Sequence, residues 1–207
     1  MRLRLEKWIS PMSPLLIVTD QNGILRALEF GEYELRMDRL LRSHYGSYSL
    51  EERSVPETII EKLNAYFAGD LEAIDEIQTA TGGTSFQKEV WSALREIPPG
   101  TTISYGQLAG KLGRVGASRA VGAANGANPI PIVVPCHRVI GANGTLTGYG
   151  GGLQHKKWLL DHEARYASIF AVTGMLASGG APTIASEIKV LAEPDQSTSN
   201  KVDYRSS

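Results

Sequence analysis

The chain has 207 residues, 42% hydrophobic and 21% charged, a mixture that excludes general disorder and suffices to bury the core of one large domain or two small ones. Its formal net charge is −1, and its single cysteine, Cys136, excludes an internal disulfide and a multi-thiolate zinc site and points to a reducing, cytoplasmic compartment. The basic start carries an apolar run too short for a secretory signal or a membrane span, so the chain reads as a cytosolic globular protein.

Residues 3–8 alternate in polarity and read as a strand, and 15–19 form a second apolar run after Pro11 and Pro14. Asp20-Gln21-Asn22-Gly23 makes a tight turn into a third strand over 24–30. A helical pattern follows with Leu35, Leu40 and Leu41 on one side. After Pro56, a second helix carries Ile59, Ile60, Leu63 and Phe67, with Gly69 as its stop signal. Residues 70–84, ending in a Thr- and Gly-rich run, read as a linker.

Thr84 and Gln87 then form a capping box for a helix bearing Phe86, Val90 and Leu94, which Pro98-Pro99-Gly100 stops. Ser104 and Gln107 form a second box, opening a helix over 105–112 that ends at Gly113. A turn through Gly116 leads to another helix over about 117–125. Helix, short turn, helix is the helix-turn-helix outline, which serves DNA binding and purely structural hairpins alike. The second helix holds Ser118, Arg119 and the nearly bare stretch Gly122, Ala123 and Ala124. Small residues there allow close approach to a narrow groove or tight packing on a neighbouring helix. Base reading in a major groove would need larger polar side chains.

The predicted class is therefore α/β. A small sheet with helices occupies 1–83, a mainly helical part with the helix-turn-helix occupies 84–165, and an extension spans 166–207. A last helix is expected over 153–163. In the extension, 169–176 is apolar enough to pack as a helix, and 193–207 is polar and flexible. The near-neutral total charge divides into −5 over 1–83, +5 over 84–166 and −1 over 167–207. A basic middle segment suits a polyanion partner, although solvated faces produce the same imbalance.

The chemistry concentrates in Asn128-Pro129-Ile130-Pro131-Ile132-Val133-Val134-Pro135-Cys136-His137-Arg138-Val139. Its three prolines exclude a regular helix or central strand, leaving a rigid irregular segment that delivers Cys136 to one place. A lone cysteine is commonly an inert core residue. Here the adjoining imidazole and guanidinium are groups of the kind that lower a thiol from its free pKa of about 8.5. A glycine loop, Gly144-Thr145-Leu146-Thr147-Gly148-Tyr149-Gly150-Gly151-Gly152, follows. It has no Walker pattern and suits a wrap over a flat ligand, with Tyr149 as a wall. Glu163 is either a solvated charge or the partner that orients an imidazole. His155 and His162 are seven apart, not the i,i+4 spacing of a metal pair, and receive no role. On residues alone, a redox-sensitive regulator and a cysteine hydrolase using Cys136 and His137 stay open beside a DNA-modifying protein.

Pro135-Cys136-His137-Arg138-Val139, preceded by Asn128-Pro129 and followed by Gly148-Tyr149-Gly150-Gly151, resembles the active-site signature of the O6-alkylguanine-DNA alkyltransferases, also called methylated-DNA–protein-cysteine methyltransferases. The similarity runs from about Phe86 to Glu163. It implies single-turnover repair, with the alkyl group of O6-alkylguanine, and of O4-alkylthymine, passing irreversibly to Cys136 without metal or cofactor. The partner implied is double-stranded DNA carrying the alkylated base, bound by a monomer through the minor groove; cooperative binding stays open. Ser118, Arg119, Gly122, Ala123 and Ala124 match the DNA-binding helix, with Arg119 as the intercalating residue. Asn128 matches the hinge, and Tyr105, Pro131, Val139, Tyr149, Gly150 and Gly151 match the substrate pocket. The resemblance further implies that the Cys136 and Val139 carbonyls accept from the guanine amino group, that the Gly150 amide donates to O6 and that Tyr105 protonates N3. His137 acts through a water as base toward Cys136, held by Glu163. Relatives that lack the reactive cysteine only recognise the lesion, and retention of Cys136 argues against that role.

Overall fold

The N-terminal alternations become strands. β1 (Arg2–Ile9) pairs antiparallel with β2 (Pro14–Asp20), and β2 with β3 (Leu25–Phe30). A fourth strand, β4 (Ser49–Glu52), runs parallel to β1 and completes the order β3-β2-β1-β4. Patterning missed it because all its residues are exposed, leaving no apolar alternation to read. The central strand β2 is apolar without alternation because both its faces are covered. Leu15 and Ile17 face one core cluster, Leu16 and Val18 the other.

Helix α1 (Glu34–Tyr45) covers the face of Leu3, Leu5, Leu16, Val18 and Ala27 with Met37 and Leu41. Leu35, expected on that side, is 83% exposed. Residues four apart share a helical face and residues six apart do not, so Met37 rather than Leu35 joins Leu41. The opposite face of the sheet packs on α2 (Glu57–Ala68) through Ile59, Ile60, Leu63, Tyr66 and Phe67. The expected linker over 70–84 is part of this core. Leu71, Ile74 and Ile77 are buried around a short turn, Ala73–Glu76. Its next residues cover the open edge of β3: Leu25 N donates to Gln78 O, and Ala80 N to Leu25 O.

Both capping boxes form. Thr84 and Gln87 start α3 (Ser85–Arg95), which buries Val90, Trp91, Ala93 and Leu94. Ser104 and Gln107 start α4 (Tyr105–Lys111), and a turn over 112–117 leads to α5 (Ser118–Gly126), which packs against α3 and α4. A two-stranded parallel ladder joins β5 (Ile103–Ser104) to β6 (Val139–Ile140). The last helix, α6 (Leu153–Ala177), does not stop at Glu163, because no glycine or proline interrupts 154–173.

The computed structural model describes residues 1–177, with side chains to Ile169. Met1–Ile169 forms one unit with its own core, and residues from Phe170 belong to a second unit, described only as helical backbone to Ala177. The expectation of a flexible 193–207 lies outside the described residues.

Gly69 closes α2 at φ +112°, and a Cβ there would lie 2.3 Å from the Tyr166 ring of α6. Gly69→Ala should therefore lower the unfolding free energy by ~1–3 kcal/mol, through both backbone strain and overpacking. A urea midpoint equal to the wild type would show that neither constraint operates.

Candidate active site

The segment between α5 and β6 is built from tight turns. Asn128, fully enclosed, accepts from Ile130 N at 3.0 Å and donates from Nδ2 to Val134 O at 2.8 Å, so one side chain spans the loop. Val133 N donates to Pro131 O at 3.0 Å across Ile132, whose φ of +73° is a γ-turn conformation that a β-branched residue rarely adopts. An inverse γ-turn follows at Pro135 (φ −80°, ψ 63°), where Cys136 N donates to Val134 O at 2.7 Å. The prolines and the Asn128 bridge thus set the place of Cys136, as the sequence implied, and Pro131 supplies a turn carbonyl.

Cys136 is buried, and its thiol is not activated in the way its neighbours in sequence suggested. Burial pushes its pKa up, against the opposing influence of Asn128, Arg36 and Lys156. The turn Cys136–Arg138 directs both neighbouring side chains elsewhere. His137 Nε2 lies 2.8 Å from Glu163 Oε1, and Arg138 Nη2 lies 2.8 Å from the same oxygen. Glu163 also accepts from Tyr66 Oη at 3.0 Å and from Gly100 N at 3.1 Å. Burial alone would raise its carboxyl, but His137 and Arg138 outweigh that and hold it well below the ordinary carboxylate range. A carboxylate only accepts, so the His137 proton sits on Nε2. Burial also lowers the His137 pKa, which keeps the ring neutral, and Nδ1 is left buried without a partner. The site therefore holds a buried thiol and, next to it in the chain, a carboxylate-held imidazole whose Nδ1 has no partner.

The glycine loop closes over this pair. Tyr105 Oη donates to Thr147 O at 3.3 Å and Gly148 O at 3.4 Å, and burial raises its pKa. The hydroxyl of Tyr149 is buried without a partner. A Cβ at Gly150 would fall 2.4 Å from the Arg36 guanidinium, and one at Gly151 2.4 Å from the Phe30 ring, so the loop backbone lies directly on β3 and α1. Val139 is buried, and its carbonyl accepts from Lys156 Nζ at 2.6 Å. The same ammonium donates to Thr147 O at 2.9 Å.

Lys156, Arg36, Glu29 and Tyr66 escaped sequence reasoning. Arg36 pairs with the buried Glu29 and donates to Gly126 O at 2.7 Å and Asn128 O at 3.0 Å, joining α1 to the start of the segment that leads to Cys136. The signals were weak in sequence: a lysine on the buried side of α6, and an Arg-Glu pair separated by the β3–α1 turn. A cleft of about 560 Å³ lined by Asp20, Arg26, Asp75 and Arg95, among others, shares no residue with this site.

On α5, Arg119 and Ala123 are exposed, Ser118 and Gly122 half-buried, and Gly122 lies along the Tyr105 ring. Ala124 does not belong to this surface. It is buried, and its carbonyl accepts from Trp91 Nε1 at 2.9 Å, so its small size serves packing on α3. Among the described residues no cluster of three or more His, Cys, Asp or Glu could hold a metal ion, and no helix is long and apolar enough to cross a membrane.

A buried cysteine followed in the chain by a carboxylate-held histidine, on a mixed α/β fold, suits a cysteine-dependent group-transfer protein. Residues 85–165 match the family described as 6-O-methylguanine DNA methyltransferase, DNA binding domain. The methylated-DNA–protein-cysteine methyltransferase of Salmonella typhimurium is 59% identical over 165 residues, 79% of this chain and 96% of that protein. The Methanosarcina acetivorans protein of the same name is 45% identical over 154 residues, 74% of this chain and 94% of its own. Among solved structures, Mycobacterium tuberculosis OGT in complex with DNA superimposes with TM-score 0.65 at 39% identity, covering 80% of this chain and 94% of that one. The O6-methylguanine-DNA methyltransferase of Pyrococcus kodakaraensis KOD1 gives 0.63 at 30% identity, covering 78% and 98%. The chain belongs to the methylated-DNA–protein-cysteine methyltransferase family and is a DNA-repair methyltransferase.

Glu163→Gln leaves Arg138 buried without a countercharge and should cost ~3–5 kcal/mol of stability. Because the native pKa of Glu163 is depressed, its stabilisation is complete above the unfolded value of about 4.3 and is lost as pH falls below it. His137, also depressed, adds a loss as pH falls below about 6.5. Urea unfolding across this range should show both losses in the wild type and a diminished lower one in Glu163→Gln.

Proposed function

We propose that this protein removes the alkyl group from O6-alkylguanine, and from O4-alkylthymine, in duplex DNA by transferring it once and irreversibly to Cys136. The observation that carries this reading is the His137 Nδ1 lone pair, buried and unpaired while Nε2 is fixed on Glu163. Burial keeps the Cys136 thiol protonated until it is needed, so the reaction requires a base at that moment rather than a standing thiolate. His137 takes the thiol proton through an intervening water, and the resulting sulfur attacks the alkyl carbon in line. The S–C bond forms as the C–O6 bond breaks. The electron pair passes into the purine, which takes a proton at N3 from Tyr105 and leaves as a neutral base. The Gly150 amide donates to O6, and the Cys136 and Val139 carbonyls accept from the exocyclic amine. Val139 O already serves Lys156, but a carbonyl has a second lone pair. The product is a thioether without a good leaving group, so the protein acts once.

In this reading residues 84–165 are the DNA-handling and chemical part, 1–83 its support and 166–207 an extension. Helices α4 and α5 act as a helix-turn-helix in the minor groove, where the exposed Ala123 and the half-buried Ser118 and Gly122 permit close approach. Arg119 is exposed and makes no hydrogen bond or ion pair within the described residues, which suits a side chain that fills the stack after the damaged base turns out. A cysteine hydrolase would need repeated turnover, which a thioether forbids.

Incubation with a duplex bearing one O6-methylguanine should add one methyl group to the protein, on the peptide containing Cys136, and Cys136→Ala should add none. Repaired DNA beside unmodified wild-type protein, or several repairs per chain, would count against the reading. Arg119→Ala should slow repair of duplex DNA far more than reaction with free O6-benzylguanine. Equal slowing on both would remove Arg119 from base extrusion.

A further inference from the structure

His155 lies in the first turn of α6, buried, and has no part in the chemistry above. Its ring stacks on Phe30 with centroids 4.1 Å apart and planes 10° from parallel, and Tyr33 meets it edge-on at 6.2 Å. Nδ1 is 2.6 Å from the carbonyl oxygen of Gly151, and Nε2 is 3.2 Å from Glu32 Oε1. A carbonyl can only accept, so Nδ1 donates to Gly151. Glu32 lies in the turn Gly31–Tyr33, while the nearby Glu29 on β3 is taken by Arg36 of α1. Lys156, the next residue of α6, is directed away, onto the Val139 and Thr147 carbonyls.

The Gly151 carbonyl belongs to the loop that carries Tyr149 and Gly150. Its only large side chain is Tyr149, whose ring lies 6.3 Å from that of Phe30 on β3. Gly150, Gly151 and Gly152 lie so close to Arg36, Phe30 and Tyr33 that none could carry a Cβ without displacing them. His155 touches both partners: the loop through Nδ1, and the N-terminal layer through Nε2 and its ring face. We propose that His155 is a positioning residue, a clasp that holds the 148–152 loop against Glu32 and Phe30 and so sets where Tyr149 and Gly150 meet the incoming base. This inference rests on the alkyl-transfer reading for its functional consequence.

Single-turnover methyl transfer from the O6-methylguanine duplex and amide exchange of residues 148–152, both at one pH, test the clasp. His155→Phe keeps the stack but loses both polar arms, and it should slow transfer and accelerate exchange of 148–152 while exchange in β1 and β2 stays at the wild-type rate. Glu32→Gln weakens only the outer arm and should slow transfer about two- to fivefold, the size expected for a partly exposed polar pair. Glu32→Gln also carries the test if His155→Phe does not fold. Wild-type transfer with unchanged exchange of 148–152 overturns the clasp. If the wild type does not methylate Cys136, the alkyl-transfer reading fails instead, and the exchange measurement still decides whether His155 holds the loop.

Discussion

A carboxylate removed from water costs several kcal/mol unless its lone pairs are all engaged, and Glu163 meets that condition with donors drawn from three parts of the chain. Tyr66 comes from α2, Gly100 from the turn after α3, and His137 and Arg138 from the turn that presents the cysteine. Because the carboxylate can only accept, every one of these groups must point a hydrogen at it. For His137 this decides the tautomer and leaves the Nδ1 lone pair without a partner. The same ion pair occupies Arg138, which is why the guanidinium beside Cys136 in sequence does not act on the thiol. One buried charge therefore sets the fold's centre and the chemistry beside it.

The N-terminal sheet supports this centre without supplying a reacting group. Leu28 N on β3 donates to Pro129 O at 3.0 Å, and Arg36 binds the carbonyls of Gly126 and Asn128, so the start of the active-site segment is held by β3 and α1. The glycine loop lies on the same two elements. Pocket geometry consequently depends on residues more than ninety positions away in the chain, such as Arg36 against Asn128. The polar contacts of this seam are Glu29 with Arg36 and His155 with Glu32.

Much of this was legible beforehand where the physics is local. The two capping boxes bond backbone groups three residues away, so α3 and α4 began where expected. The prolines around Cys136 restrict their own φ angles, which made a rigid, irregular segment readable. Errors arose where distant packing chose among local options. Leu35 and Met37 are comparable on propensity, and only contact with the sheet selects Met37. Ala124 and Ala123 are identical in sequence terms, yet one faces α3 and the other solvent. The segment 70–84 carried turn residues but also Leu71, Ile74 and Ile77, and burial beside β3 decided in favour of the latter.

Residue order alone established that Cys136 is the single thiol, the outline of α4 and α5, and the family, since each depends on composition, on neighbours in the chain or on a contiguous motif. Three-dimensional packing decided the protonation states. Whether Cys136 rests as thiol or thiolate, which nitrogen of His137 is free and what Lys156 and His155 hold all follow from desolvation and from partners brought near by folding. Those are sums over space, and a string of residues contains no distances from which to form them.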